Sequence, residues 1–271
     1  MSIAINFHRT GSGPPLVLLH GVGHHWQAWE PVIEQLASEF DVIACDTPGF
    51  GRSPPLPAGL IPTIPAYVDA FEWFFAELGL ERPHVAGSSM GGGVALELAR
   101  DRAASSATAF SPIGFWTAAE RRYCQLSLAL VGMTPRPLRA PMERLARSEL
   151  GRLLLFSQTF GYPRRLPAEE AASTLRDLWA APALQTTLQA FEDYSFRSPE
   201  QLRSTPVSIA WGNRDWLLPY HLQAPRARAL LPWAEHVTLG AGHIPFYDDP
   251  AVAAEVIRRC AARVPAAVPA A

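Results

Sequence analysis

His84-Val85-Ala86-Gly87-Ser88-Ser89-Met90-Gly91-Gly92-Gly93 is a short apolar run that ends in a Gly-x-Ser-x-Gly pattern and passes into Val94-Ala95-Leu96. Its opening residues, His84–Gly87, suit a buried strand, and the spacing after them predicts a helix from Met90 to about Arg102. A serine on so tight a strand-to-helix turn projects its hydroxyl beyond the sheet edge. Such a turn strains the backbone at Ser89 and tolerates only small neighbours, hence Gly87 and Gly91. The following helix aims its positive end at the turn, where it favours a developing negative charge. Chance alone places this pattern somewhere in a chain of this size on the order of one in ten times. The bland alternative is a glycine-rich turn with a surface serine, and the flanking sequence has to decide between the two.

Outward from this turn, apolar β-type runs alternate with helical patterns, the signature of a mostly parallel sheet covered by helices. Strands are expected at Ile3–Arg9, Leu16–His20, Val42–Asp46, Ala107–Ser111, Val207–Trp211 and His236–Leu239. Helices are expected around Pro31–Phe40, over Pro65–Leu78, where Tyr67, Phe71, Phe74, Phe75 and Leu78 share a face, and near Ala251–Arg263. The rhythm changes between Gly114 and Arg203. That segment reads as several helices broken by Pro135, Pro137, Pro141, Pro163, Pro167 and Pro182, without a buried strand. Its place between two strands predicts an excursion above the sheet, so residues 1–113 and 204–271 are expected to form the core and 114–203 a helical cap. The Pro/Ala-rich tail Val264–Ala271 is expected to fray.

Composition narrows the function. With 48% hydrophobic residues, 18% charged residues and a net charge of −2, the chain is an ordinary globular one. That balance lacks the basic face nucleic acid demands. No run approaches the roughly 20 apolar residues that span a bilayer, and residues Met1–Thr10 do not read as a signal peptide. The expected partner is a small-molecule substrate, with neither nucleic acid nor membrane, in the cytoplasm. Cys45, Cys124 and Cys260 are too few and too widely spaced for a disulfide framework or zinc cluster, and read as buried apolar residues. All 23 basic side chains are arginine, which excludes a lysine Schiff base and a phosphate-loop lysine within this chain.

Four further motifs accompany the serine turn. Pro15-Leu16-Val17-Leu18-Leu19-His20-Gly21-Val22-Gly23 is a strand ending in His-Gly. Asp46-Thr47-Pro48-Gly49-Phe50-Gly51-Arg52-Ser53 is a glycine-punctuated loop. Trp211-Gly212-Asn213-Arg214-Asp215 is a strand end carrying an acid, and Gly242-His243 followed by Pro245-Phe246 is a loop carrying a histidine. Together and in this order the five motifs resemble those of the α/β-hydrolase family, and the resemblance covers nearly the whole chain. It implies a mostly parallel sheet flanked by helices, with a helical cap and no metal or organic cofactor. It also implies a nucleophile Ser89, an acid Asp215 and a base His243, in the chain order known for this fold. His243 would activate the hydroxyl and return its proton to the leaving group, and Asp215 would orient the imidazole. The backbone N–H groups of Val22 and Met90 would form the oxyanion hole.

Competing residues carry less. His20 reads as a brace for the oxyanion loop. His24 and His25, as neighbours in extended chain, would point to opposite sides and so make no metal pair. Asp46 is expected to anchor its own turn. Asp248 and Asp249 read as the N-cap region of the closing helix, with a fallback role as the acid. Trp26, Trp116, Trp216 and Phe246 are candidate pocket walls. An apolar lining implies an uncharged apolar or aromatic acyl group, and an ester, lactone or thioester as the scissile bond. A serine nucleophile weighs against the carboxylate-dependent members of the family. The closer rival is a carbon–carbon bond hydrolase of the meta-cleavage type, in which Arg121 or Arg122 would bind a substrate carboxylate. A non-catalytic ligand receptor on the same scaffold is the alternative of a different class.

Overall fold

The computed structural model describes residues 3–265. Seven strands form one sheet: β1 (Phe7–Gly11), β2 (Pro15–Leu19), β3 (Asp41–Cys45), β4 (His84–Ser88), β5 (Ser106–Phe110), β6 (Val207–Gly212) and β7 (Glu235–Leu239). Their spatial order is β1-β3-β2-β4-β5-β6-β7. β1 runs antiparallel to β3 and every other pairing is parallel. The fold is therefore a mostly parallel α/β sheet with β4, the strand feeding Ser89, at its centre.

Alternation along each strand sorts side chains into two cores. Leu16, Leu18, Val42 and Ala44 face one way and pack with α1 (Glu30–Ala37) and α10 (Pro250–Ala262). Val17, Leu19, Ile43 and Val85 face the other way, against α2 (Ile64–Leu78) and α3 (Met90–Arg100), and the same layer takes in residues of α9 (Tyr220–Leu230). Because both faces are covered, the central strands consist mostly of apolar and small residues, and this is why they stand out in the sequence. α2 starts at an N-cap, where the Thr63 side chain accepts from the Ala66 amide, and stops at Gly79 in the left-handed region. All three cysteines are free and buried.

β1 corrects one expectation. Ile3–Arg9 was the predicted strand, but the ladder runs over Phe7–Gly11, because β3 pairs Cys45 with Phe7 and Asp41 with Gly11. Ile5 is buried without belonging to the ladder; its apolarity marks packing rather than strand pairing. The tail expected to fray lies, for residues 266–271, outside the described residues.

Between β5 and β6 the chain forms α4 (Ala118–Gly132), α5 (Arg136–Ala146), α6 (Glu149–Phe156), α7 (Ala168–Ala180) and α8 (Leu184–Ala190), with short 3-10 turns between and after them. A capping box at Thr117 and Glu120 fixes the start of α4. No helix among the described residues is long and apolar enough to cross a membrane.

Candidate active site

Four loops at the carboxyl ends of the parallel strands converge, the edge where such sheets place their sites. The tightest follows β4. Ser89 has φ 55° and ψ −113°, a backbone conformation that costs an L-residue on the order of 1–3 kcal/mol. Three bonds hold it there: its amide donates to the Phe110 carbonyl (2.8 Å), and its own carbonyl accepts from Gly93 (3.0 Å) and Ile113 (3.1 Å). The turn closes only around glycine. A Cβ at Gly87 would sit 2.0 Å from the Gly91 carbonyl oxygen, and one at Gly91 would sit 2.2 Å from the Leu19 carbonyl oxygen.

β6 delivers Asp215 and β7 delivers His243, and the structure brings the two together. His243 Nδ1 donates to Asp215 Oδ2 at 2.7 Å, with both side chains sealed from solvent. The other carboxylate oxygen accepts from the Leu217 (3.0 Å) and Leu218 (2.8 Å) amides, which fixes the carboxylate plane. The two loops are also stitched by their backbones, Asn213 N–H to the Leu239 carbonyl and Arg214 N–H to the Ala241 carbonyl, both at 2.9 Å. Because Nδ1 keeps its proton to donate to Asp215, the tautomer leaves a lone pair on Nε2. That Nε2 is buried and has no hydrogen-bond partner among the described residues. It shares the wall of one cavity with Ser89. Serine and histidine therefore face the same space without a bond between them, a contact that free enzymes often close only around substrate.

The cavity is small, about 40 Å³ in volume. Val22, Ala28, Ile244 and Phe246 supply apolar wall from the core, and Leu217 adds more beside the acid. Leu128 of α4 and Thr159, which follows α6, close it from above. Val22 follows the β2 strand end, and no backbone carbonyl among the described residues takes its amide. Met90 is the first residue of α3, where an amide has no intrahelical partner. His20 braces this corner: its Nε2 accepts from the Thr47 amide (2.9 Å), so its Nδ1 donates to the Gly21 carbonyl (2.7 Å). Asp46 binds its own loop through the Arg52 amide (2.9 Å) and also holds the Trp26 amide (2.7 Å).

Three expected pocket walls lie elsewhere. Trp26 stacks on His8, with ring centroids 4.6 Å apart. Trp116 is buried and donates its indole N–H to the Tyr194 carbonyl at 2.9 Å. Trp216 is 61% exposed, since Asp215 turns inward and the next residue on that turn faces out. Only Phe246 of the four lines the cavity.

His24 joins the cavity wall, and burial pushes its pKa down to about 3, so the imidazole stays neutral near neutral pH. Burial likewise takes His20 down to about 4. His25 pairs with Asp177 of α7. Of the two adjacent acids, Asp249 does cap α10, but Asp248 does not. Its buried carboxylate accepts from the amides of Gly242 (2.8 Å), Gly161 (2.8 Å) and Tyr162 (2.9 Å), tying the histidine loop to the segment after α6. Arg121 and Arg122 line a separate cleft between α4 and α8. No cluster of histidine, cysteine or carboxylate side chains able to hold a metal occurs among the described residues.

Comparison with known proteins gives the family. The sequence model of the alpha/beta hydrolase fold matches residues 14–250, and the chain belongs to that family. It is 30% identical to an uncharacterised protein of Mycobacterium tuberculosis, over 93% of this chain and 76% of the other. It is also 30% identical to a pimeloyl-[acyl-carrier protein] methyl ester esterase of Aeromonas hydrophila, over 94% of this chain and 98% of that one. Among solved structures, an esterase of Thermogutta terrifontis superposes with a TM-score of 0.74 at 22% identity, over 97% of this chain and 94% of that one. A meta-cleavage product hydrolase of Pseudomonas fluorescens gives 0.75 at 19% identity, over 97% and 96%.

Proposed function

We propose that the protein is a serine hydrolase that cleaves an ester-like bond (carboxylic ester, lactone or thioester) of an apolar small molecule through an acyl-enzyme on Ser89. One observation carries this reading: the buried His243–Asp215 pair presents an unpartnered Nε2 to the cavity that also holds the strained Ser89 turn. On substrate binding the Ser89 hydroxyl swings to Nε2, which takes its proton as Oγ bonds to the substrate carbonyl carbon. The carbonyl electrons move to oxygen, where the Val22 and Met90 amides donate to it; one such donor is typically worth about 3 kcal/mol. The imidazolium, stabilised by Asp215, then protonates the departing alkoxide or thiolate as the tetrahedral centre collapses. Water, deprotonated by His243 in turn, releases the acid and restores the serine.

The lining selects among substrates. A cavity walled by Val22, Leu128, Leu217 and Phe246 favours an uncharged acyl group. With Arg121 and Arg122 in a separate cleft, no arginine among the cavity residues answers a substrate carboxylate, which weighs against the carbon–carbon bond hydrolase. The test is a panel of p-nitrophenyl esters of increasing chain length, with charged esters, lactones, thioesters and a vinylogous diketone acid included. Turnover of uncharged esters by the wild type, and none by Ser89→Ala, is expected. Preference for highly charged esters would reject the substrate class. Binding without turnover of any member would favour the receptor alternative.

A further inference from the structure

Helices α4, α5 and α6 carry apolar side chains on their outer faces that nothing in the fold covers. Of fifteen exposed large apolar side chains among the described residues, nine fall between Tyr123 and Leu154. On α4, Tyr123, Leu126, Leu130 and Met133 recur at helical spacing and make one stripe, while Leu128, on the opposite side of the same helix, lines the catalytic cavity. On α6, Leu150, Leu153 and Leu154 make a second stripe. Leu138 and Leu145 of α5 join them: together with Leu130 and Leu155 they line one open groove, so the three helices share a continuous apolar surface. Trp216 extends it, since the Tyr123 hydroxyl donates to the Trp216 carbonyl at 3.0 Å and the indole is exposed. Contiguous apolar surface of this kind marks an interaction site rather than the scattered exposure every protein shows.

The charge around it is one-sided. From Ala118 to Phe156 there are seven arginines and three glutamates. The glutamates are already engaged: Glu120 with Arg226, Glu143 with Arg147 and Arg176, and Glu149 with Arg164. Arg122, Arg136 and Arg144 are exposed and make no ion pair among the described residues. We propose that this face docks on an anionic lipid surface, with the leucines, Met133 and Trp216 entering the headgroup–acyl boundary and the free guanidinium groups on lipid phosphates. Leucine-rich helix faces bordered by cations, with a tryptophan at the edge, are how proteins lie on a bilayer without spanning it. A second copy fits less well, because pairing this face with itself brings unpaired arginines together. The composition rule that excludes a spanning segment does not bear on surface binding.

Co-flotation of the full chain with 100-nm vesicles tests this, because it reads binding and not hydrolysis. Retention on phosphatidylcholine vesicles containing about 25% phosphatidylglycerol is expected, with weak retention on phosphatidylcholine alone and loss on raising salt. Arg122→Gln/Arg136→Gln/Arg144→Gln should weaken binding about a hundredfold, at about 1 kcal/mol per charge, and Leu126→Glu/Leu130→Glu/Leu154→Glu should abolish it. Both variants should keep the wild-type circular dichroism and melting temperature. No flotation with anionic vesicles would overturn the proposal. So would binding that is indifferent to both substitution sets, or a solution dimer that Leu130→Glu dissociates.

Discussion

Ser89 holds a backbone conformation that glycine adopts without cost and serine does not. In the proposed function its hydroxyl is the nucleophile, so removing the side chain should trade activity for stability. Ser89→Gly and Ser89→Ala should both lose measurable turnover, and Ser89→Gly should melt above Ser89→Ala. Relief of about 1 kcal/mol corresponds to about 2–4 °C in a chain of this size. Equal melting temperatures would mean the turn is not strained. In the proposed mechanism Asp215 acts through the imidazole: it accepts from Nδ1 while its other oxygen is pinned by two amides. Asp215→Asn permits the wrong tautomer, and kcat should fall by about 10⁴ with little change in KM.

At the scale of elements, the loops after β4, β6 and β7 decide whether the site forms. Gly87→Ala would drive a methyl into the Gly91 carbonyl, and the protein should fail to accumulate in folded form, as judged by soluble yield and near-ultraviolet circular dichroism. Asp248 is subtler. Asp248→Asn keeps the shape but replaces one acceptor oxygen with a donor, leaving at least one of the three amides unpaired at about 1–3 kcal/mol. Faster amide hydrogen exchange at residues 158–162 and 241–244, ahead of the rest of the chain, is the expected signature. The role of Asp248 was not legible beforehand, because its partners Gly161 and Tyr162 are more than eighty positions away and backbone amides leave no mark in a sequence. The central strands were legible, since strands buried on both faces are mostly apolar or small, and the serine turn was legible because only glycine fits at 87 and 91. Trp116 and Trp216 were misplaced for a related reason. Hydrophobicity predicts that a tryptophan packs against something, but not whether the loop that carries it turns toward the cavity.

Across the whole molecule, the helical segment joins the core through shared apolar packing and several polar contacts, and one of these contacts titrates. His25, next to the cavity residue His24, pairs with Asp177 on α7. Burial works against the charged imidazole, but the hydrogen bond and charge of Asp177 outweigh it and raise the His25 pKa above its usual 6.5. Burial also works against the Asp177 carboxylate, and His25 and Ser173 outweigh that, holding it below its usual 3.8. The pair therefore stabilises the fold at intermediate pH. Its contribution is lost as pH rises through the raised His25 value, and again as pH falls through the lowered Asp177 value. Between about pH 6 and about pH 9 the wild type should lose stability relative to Asp177→Asn, a difference read from urea midpoints at each pH. Parallel curves would show that the pair contributes nothing.

A serine hydrolase of this kind has one activated hydroxyl among its serines. Treating folded protein with a fluorophosphonate and mapping the adduct by mass spectrometry measures this directly. The expected result is one phosphonyl group per chain, on the peptide containing Ser89, formed at least about 10³-fold more slowly in His243→Ala. An unmodified wild type, or a label on another serine, would contradict it.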